Sequence, residues 1–146
     1  MEAPPSPNIG VLLFLPYRAM ETRVFDGLAE LGYNDITRAQ GRLFQRIAPG
    51  GSRITDLAEQ AGVTKQTATF LVEQLERAGY VERVPDPTDG RARLVRITER
   101  GARTVDASAK IVAEVEAEWT AHLGARRTEQ LRRILEDLRT ITDPWM

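Results

Sequence analysis

The chain has 146 residues, 42% hydrophobic and 28% charged, which describes one soluble globular domain with a modest core, neither disordered nor long enough for a (β/α)₈ barrel. Lys and Arg total 20 against 21 Asp and Glu, so a net charge of −1 points to no partner by itself. Cysteine is absent and His122 is the only histidine, which excludes disulfides, thiol redox sensing and thiolate metal sites and argues against a histidine-rich one. No metal and no cofactor is expected. In chain order, Met1 to Pro7 is a proline-rich tail. A helix is expected over about 9–31, because Ile9, Leu12, Leu13, Met20, Val24, Leu28 and Leu31 recur at helical spacing and Gly32 follows as a stop. Pro16 inside it predicts a kink or a separately running first turn. Val11, Phe14 and Leu15 make its first half apolar nearly all round, and a second subunit is the expected cover.

Thr37 and Gln40 form a T-x-x-Q capping box for a second helix with Leu43, Phe44 and Ile47 on its buried face. Pro49-Gly50-Gly51-Ser52 is a loop. A short helix follows from about Asp56 to Ala61, with Thr55 as its expected cap. After Gly62-Val63 comes a longer one from Lys65 to Ala78, capped by Thr64 and buried along Ala68, Leu71, Val72 and Leu75. The period then changes. Tyr80–Val84 and Arg91–Thr98 read as strands around a long turn, Pro85 to Gly90. The rest is helical: about 99–122, with Val105, Ala109, Val112, Val115 and Trp119, then about 126–141, with Leu131, Ile134, Leu135, Leu138 and Ile141. The longest apolar run, Ile9 to Leu15, is too short to span a bilayer and has no basic segment before it, so a membrane role and a signal peptide are not expected, and the cytoplasm is the default compartment.

The order of a short helix, a glycine turn, a second helix and a basic hairpin carries the function. Ala58 is small where two helices must approach, Gly62 supplies a permissive turn and Val63 plugs that turn into the core. The hairpin region 83–103 concentrates Arg83, Arg91, Arg93, Arg96, Arg100 and Arg103 against Asp86, Asp89 and Glu99. This is a winged helix-turn-helix. The alternative is a helical hairpin beside an incidental ribbon. The second helix of such a motif enters the major groove. With its apolar stripe inward, Lys65, Gln66, Thr69 and Glu73 face out, flanked by Thr67 and Phe70. Gln66 suits adenine, Lys65 suits guanine or a phosphate, and Thr64, Thr67 and Thr69 suit phosphates or thymine methyls. Arg83, Arg91 and Arg93 come from the wing.

These stretches, ITDLAEQAGVTKQTATFLVEQLERAGYVER and PDPTDGRARLVRITERG, resemble the MarR (multiple antibiotic resistance regulator) family. Its D-x-R wing motif is present as Asp89-Gly90-Arg91, and the flanking helices keep the family order. The resemblance implies a mostly α fold with a small β-hairpin wing. A tail and dimerisation helix would occupy 1–36, the winged DNA-binding module 37–100, and dimerisation helices 101–146. It implies a homodimer and a transcriptional regulator, expected to be a repressor that binds double-stranded DNA and is relieved by a small apolar or aromatic ligand. It implies that Arg91 enters the minor groove and Asp89 orients it. Phe70 stands where the family commonly has arginine; it either touches a base methyl or packs on the wing. For the ligand, Phe14, Tyr17, Arg18, Tyr33, Phe44 and Trp119 are the residues that helix order puts forward. No catalytic constellation is present: there is no phosphate loop, nucleophile elbow or metal-ligand spacing. A non-specific architectural DNA binder and a winged protein-interaction module are the other function classes; the basic wing disfavours the second.

Overall fold

The computed structural model describes residues 1–145. Its elements, in order, are α1 (Ile9–Glu30), α2 (Arg38–Phe44), α3 (Ile54–Ala61), α4 (Lys65–Arg77), β1 (Val81–Asp86), β2 (Asp89–Ile97), α5 (Glu99–Leu123) and α6 (Ala125–Thr142). The two strands form one antiparallel hairpin. No helix among the described residues is long and apolar enough to cross a membrane.

The core lies between α2, α3, α4 and the hairpin. Leu43, Leu57, Ala68, Val72, Leu75 and Tyr80 are fully enclosed there or nearly so, with Ile47, Leu71, Val81 and Val95 around them. The capping box closes α2 in both directions: Thr37 accepts from the Gln40 amide at 3.2 Å and the Gln40 side chain accepts from the Thr37 amide at 3.1 Å. Gly62 ends α3 in the left-handed region (φ 68°), which an L side chain adopts only with strain, so the turn between α3 and α4 depends on it. At the other end of the module the start of α5 is pressed against Tyr80, just before β1, and Ile97 at the end of β2. A Cβ on Gly101 would lie 2.3 Å from the Tyr80 carbonyl oxygen, so only glycine fits.

Four expectations need correction. α1 is one continuous helix through Pro16, with no separately running first turn. Proline removes one donor, and the carbonyl it frees, at Leu12, belongs to an exposed stretch where water can satisfy it. α3 begins at Ile54, and Arg53, not Thr55, occupies its cap position without a side-chain cap bond. The reason is upstream: Ser52 pairs with Val95 through both backbone bonds, at 2.9 and 2.7 Å, and holds the chain extended until Arg53. The wing has a tip of only Pro87-Thr88, because Asp86 accepts from the Thr88 amide and hydroxyl and closes the turn early. Finally, Ala109 lies outside the inner stripe of α5, which runs through Thr104, Ser108, Ile111 and Val115, and Val105 is exposed at its edge, where it lines the cleft between α1, α2 and α5. Two hydroxyl side chains on the stripe displace it from the apolar period.

α1 packs along α5, with Leu28 and Val115 buried between them and Arg23 clamped on Glu118 at 2.7 Å. α6 lies against α5 and buries none of its own residues. Ile9 to Leu15 of α1 are likewise exposed.

Candidate nucleic-acid interface

α4 divides cleanly. Ala68, Leu71, Val72 and Leu75 are buried on one side, while Lys65, Gln66, Thr69, Phe70 and Glu73 line a single shallow depression on the other. Thr64 caps the helix: its hydroxyl accepts from the Thr67 amide at 3.1 Å and donates to the Thr67 hydroxyl at 2.9 Å. Thr69 donates its hydroxyl to the Lys65 carbonyl at 2.9 Å. Of the three threonines expected to contact DNA, two therefore have their hydroxyl protons committed within the helix. Among the described residues the Lys65 ammonium and the Gln66 amide have no side-chain partner, so they remain available for a ligand, at the positive end of the helix dipole.

The wing is held by an anchor that sequence reasoning missed. Arg53 donates from two nitrogens to one Asp86 oxygen, at 3.0 and 2.8 Å, while Thr88 donates to the other oxygen. The Thr88 hydroxyl and amide and the Arg53 guanidinium hold the Asp86 carboxyl down to about 2. Beyond this anchor the strand register shifts: Pro85 pairs with Arg93, but Asp86 pairs with Asp89. Gly90, Arg91 and Ala92 fall between the two registers, an irregularity of the kind that re-aims side chains. Asp89 accepts from the backbone amide of Arg91 at 3.0 Å, so it fixes the Arg91 main chain and leaves the guanidinium alone. Arg91 and Arg93 are exposed. Arg83 does not join them. It turns back onto α4, within 4.0 Å of Glu73 and 3.7 Å of Glu76, with its Nε buried and without a hydrogen bond. Arg96 is likewise paired, with Glu82 at 2.6 Å.

A polar cluster joins the module to the outer helices. Tyr80 donates its hydroxyl to Asp35 and accepts from Arg100 at 3.0 Å. Arg100 lies 4.7 Å from the Tyr80 ring centre and 5.2 Å from that of Tyr33, and it also donates to the Ala78 carbonyl. Burial, then the Asp35 carboxylate, pushes the Tyr80 hydroxyl up to about 12. Tyr33 is thus a packing residue here.

Between α1, α2 and α5 lies a cleft of ≈ 370 Å³, within the usual range for a small-molecule site. Tyr17 and Phe44 line it, as expected, together with Met20, Phe25, Leu28 and Val112. Phe14, Arg18, Tyr33 and Trp119 do not. Phe14 and Arg18 stand on the exposed half of α1, and Trp119 faces α6. The polar edge is Glu21, buried, which accepts from Arg38 at 2.9 Å, Arg42 at 3.0 and 3.2 Å, and Tyr17 at 3.1 Å. Burial opposes its ionisation, but these donors outweigh it and keep the carboxyl below its ordinary range.

A family model described as "MarR family" matches residues 34–92, from the α1–α2 loop into β2. The transcriptional regulator HosA of Escherichia coli O157:H7 is 32% identical over 97 residues, covering 65% of this chain and 71% of that protein. The chain belongs to the MarR family. The wild-type apo structure of MarR from Escherichia coli superposes with a TM-score of 0.72 at 26% identity, covering 92% of this chain and 98% of that one. NadR, solved in complex with 4-hydroxyphenylacetate, superposes with a TM-score of 0.69 at 25% identity, covering 94% and 97%. Two longer curated relatives are matched over 62% and 52% of their length. The named relatives are transcriptional regulators, not enzymes.

Within this MarR-family frame, the residues missed by sequence reasoning are Arg53, Asp86, Glu21, Arg38, Arg42 and Phe25. Asp86-Pro87-Thr88 did carry a signal, since an aspartate two residues before a threonine is a turn-closing pattern. The arginine partners of Glu21 lie 17 and 21 positions away along the chain, and no local pattern announces them.

Proposed function

We propose that the chain is a homodimeric transcriptional regulator, acting as a repressor, that binds an inverted-repeat operator and is released by a small apolar or aromatic ligand. The observation that carries this reading is the outer face of α4: an uncommitted ammonium and amide, Lys65 and Gln66, stand beside a wing whose fixed tip presents Arg91 and Arg93. Gln66 and Lys65 read base edges in the major groove, Thr67 and the capped start of α4 meet phosphates, and Arg91 enters the minor groove. Residues 37–100 form the reading module. Residues 1–36 and 101–146 supply the dimerisation helices, which speak for a partner through exposed Leu12, Leu13, Ile134 and Leu138. Two modules related by a two-fold axis require half-sites about one helical turn apart. Such a protein works on the chromosome, in the cytoplasm.

The ligand reading rests on the α1–α2–α5 cleft, lined mostly by apolar side chains and edged by Tyr17, Glu21 and Arg42, and on the likeness to NadR. The test is selection of bound duplexes from a random pool, followed by competition with random DNA at rising salt. An enriched palindrome, bound far more tightly than random duplex and losing affinity steeply with salt, is the expected result. Equal affinity for both supports the second reading, an architectural binder, and overturns the first.

A further inference from the structure

We infer that Phe70 is a specificity-determining residue that reads the C5-methyl group of one thymine in each half-site. The inference rests on the proposed operator binding and deepens it. Phe70 is 57% exposed on the outer face of α4, amid side chains that are otherwise polar. A phenyl ring held in water at that position gains nothing from the fold, because the core stripe lies on the opposite side of the helix. The residues that share its depression, Lys65, Gln66, Thr69 and Glu73, all belong to α4, and none comes from the wing.

The neighbouring chemistry favours a methyl group as its partner. Thr69 has turned its hydroxyl inward to the Lys65 carbonyl, which leaves no free hydroxyl proton beside the ring. Glu73, the one acid in the depression, is within 4.0 Å of Arg83, which offsets a charge that would otherwise repel phosphates there. Phe70 therefore borders an apolar spot next to the Gln66 amide. In the major groove the thymine methyl is the apolar group that a base edge offers. Gln66 and Phe70 are four residues apart, on one face and about 6 Å apart along the axis. That spans about two base-pair steps of about 3.4 Å. The methyl read by Phe70 thus belongs within about two base pairs of the purine read by Gln66.

The test uses the full chain and the palindrome selected above. Each thymine of one half-site is replaced in turn by uracil, which keeps every hydrogen-bonding group and removes only the methyl. Wild type is expected to lose about fourfold in affinity at one position, roughly the worth of one buried methyl. Phe70→Ala should bind thymine and uracil equally at that position and keep its wild-type response at all others. Phe70→Leu should retain part of the ratio. Replacing that thymine by 5-methylcytosine should bind tighter than cytosine in wild type by a similar factor, and not in Phe70→Ala. The residue is exposed, so thermal unfolding should be unchanged in both variants. A wild type indifferent to every uracil, or a Phe70→Ala protein with the wild-type ratio, overturns the inference while leaving operator binding standing. Failure to enrich any sequence overturns both.

Discussion

Leu43, Leu57, Val72 and Leu75 of the winged module are completely enclosed within one chain, whereas α6 buries none of its 18 residues and Ile9 to Leu15 of α1 are all exposed. Both regions carry aliphatic side chains at helical spacing and differ in what covers them. The module closes a core from three short helices and a hairpin. Of the outer helices, α6 lies along α5 without burying a residue and the first half of α1 stands exposed. Apolar area left in water at that scale costs roughly 25 cal/mol per Å². Exposed apolar surface of that size fits the proposed dimer. On that proposal the module is the self-sufficient unit, and the outer helices acquire their stability from association.

The largest expected effect tests that contrast directly. Wild type should scatter light at twice the chain mass of 16.3 kDa. The double change Ile134→Glu and Leu138→Glu should give the single-chain mass and abolish operator binding, because charges on an association surface must be desolvated without partners. A wild-type monomer at micromolar concentration would break the comparison. Next in size is Leu75→Ala. Truncating a fully buried leucine should cost about 2–5 kcal/mol, and the loss should not depend on protein concentration, since it acts inside one chain. Calorimetry at two concentrations separates the two behaviours.

Arg91→Ala belongs to a third kind, a change that touches neither core nor association surface. It should leave unfolding unchanged and weaken operator binding by about 1–3 kcal/mol, most on A·T-rich flanks where the minor groove is narrow. Arg91→Lys should recover only part, because an ammonium is more strongly hydrated and does not fork. Binding assays on A·T-flanked and G·C-flanked duplexes read the difference.

The helices, the hairpin and the inward stripe of α4 were legible because each follows from a local rule: a capping box at Thr37, a left-handed glycine at Gly62, a period that switches at Tyr80. The outward set Lys65, Gln66, Thr69 and Phe70 was legible for the same reason, as the complement of the stripe. Long-range pairing was not. Arg83, expected at the DNA with Arg91 and Arg93, lies within 4.0 Å of Glu73 and 3.7 Å of Glu76; Arg53, which no pattern singled out, anchors the tip. An arginine's role depends on which acid the fold brings to it, and these acids lie on other elements. The α1–α2–α5 cleft was only half legible. Tyr17 and Phe44 were found by helix order, but Phe14 and Trp119 were lost because two apolar helices each present several faces, and pattern alone does not say which one turns inward.

The smallest effect at neutral pH should come from the wing anchor, and acid reveals it. The Asp86 carboxyl sits at about 2, below its ordinary 3.8, because the Thr88 hydroxyl and amide and the Arg53 guanidinium all donate to it. A group whose folded pKa is depressed contributes stability that is fully present above the ordinary value and is lost as pH falls through the folded one. The tip should therefore be indifferent to pH from 8 down to about 4 and should loosen between about 4 and 2. Carboxyl-carbon resonance of Asp86 followed by NMR is the direct measurement. Thr88→Val removes the hydroxyl, the largest of the three causes, and should raise the midpoint most. Arg53→Ala should raise it less, and Asp86→Asn should abolish the acid loosening of the tip. Leu75 and Val72 sit in a cluster of buried apolar side chains, so the tip should loosen while the helices of the module stay folded. A wild-type midpoint near 3.8 would show that the anchor does not hold in solution, and Arg91 would then be carried on a wing without a fixed base.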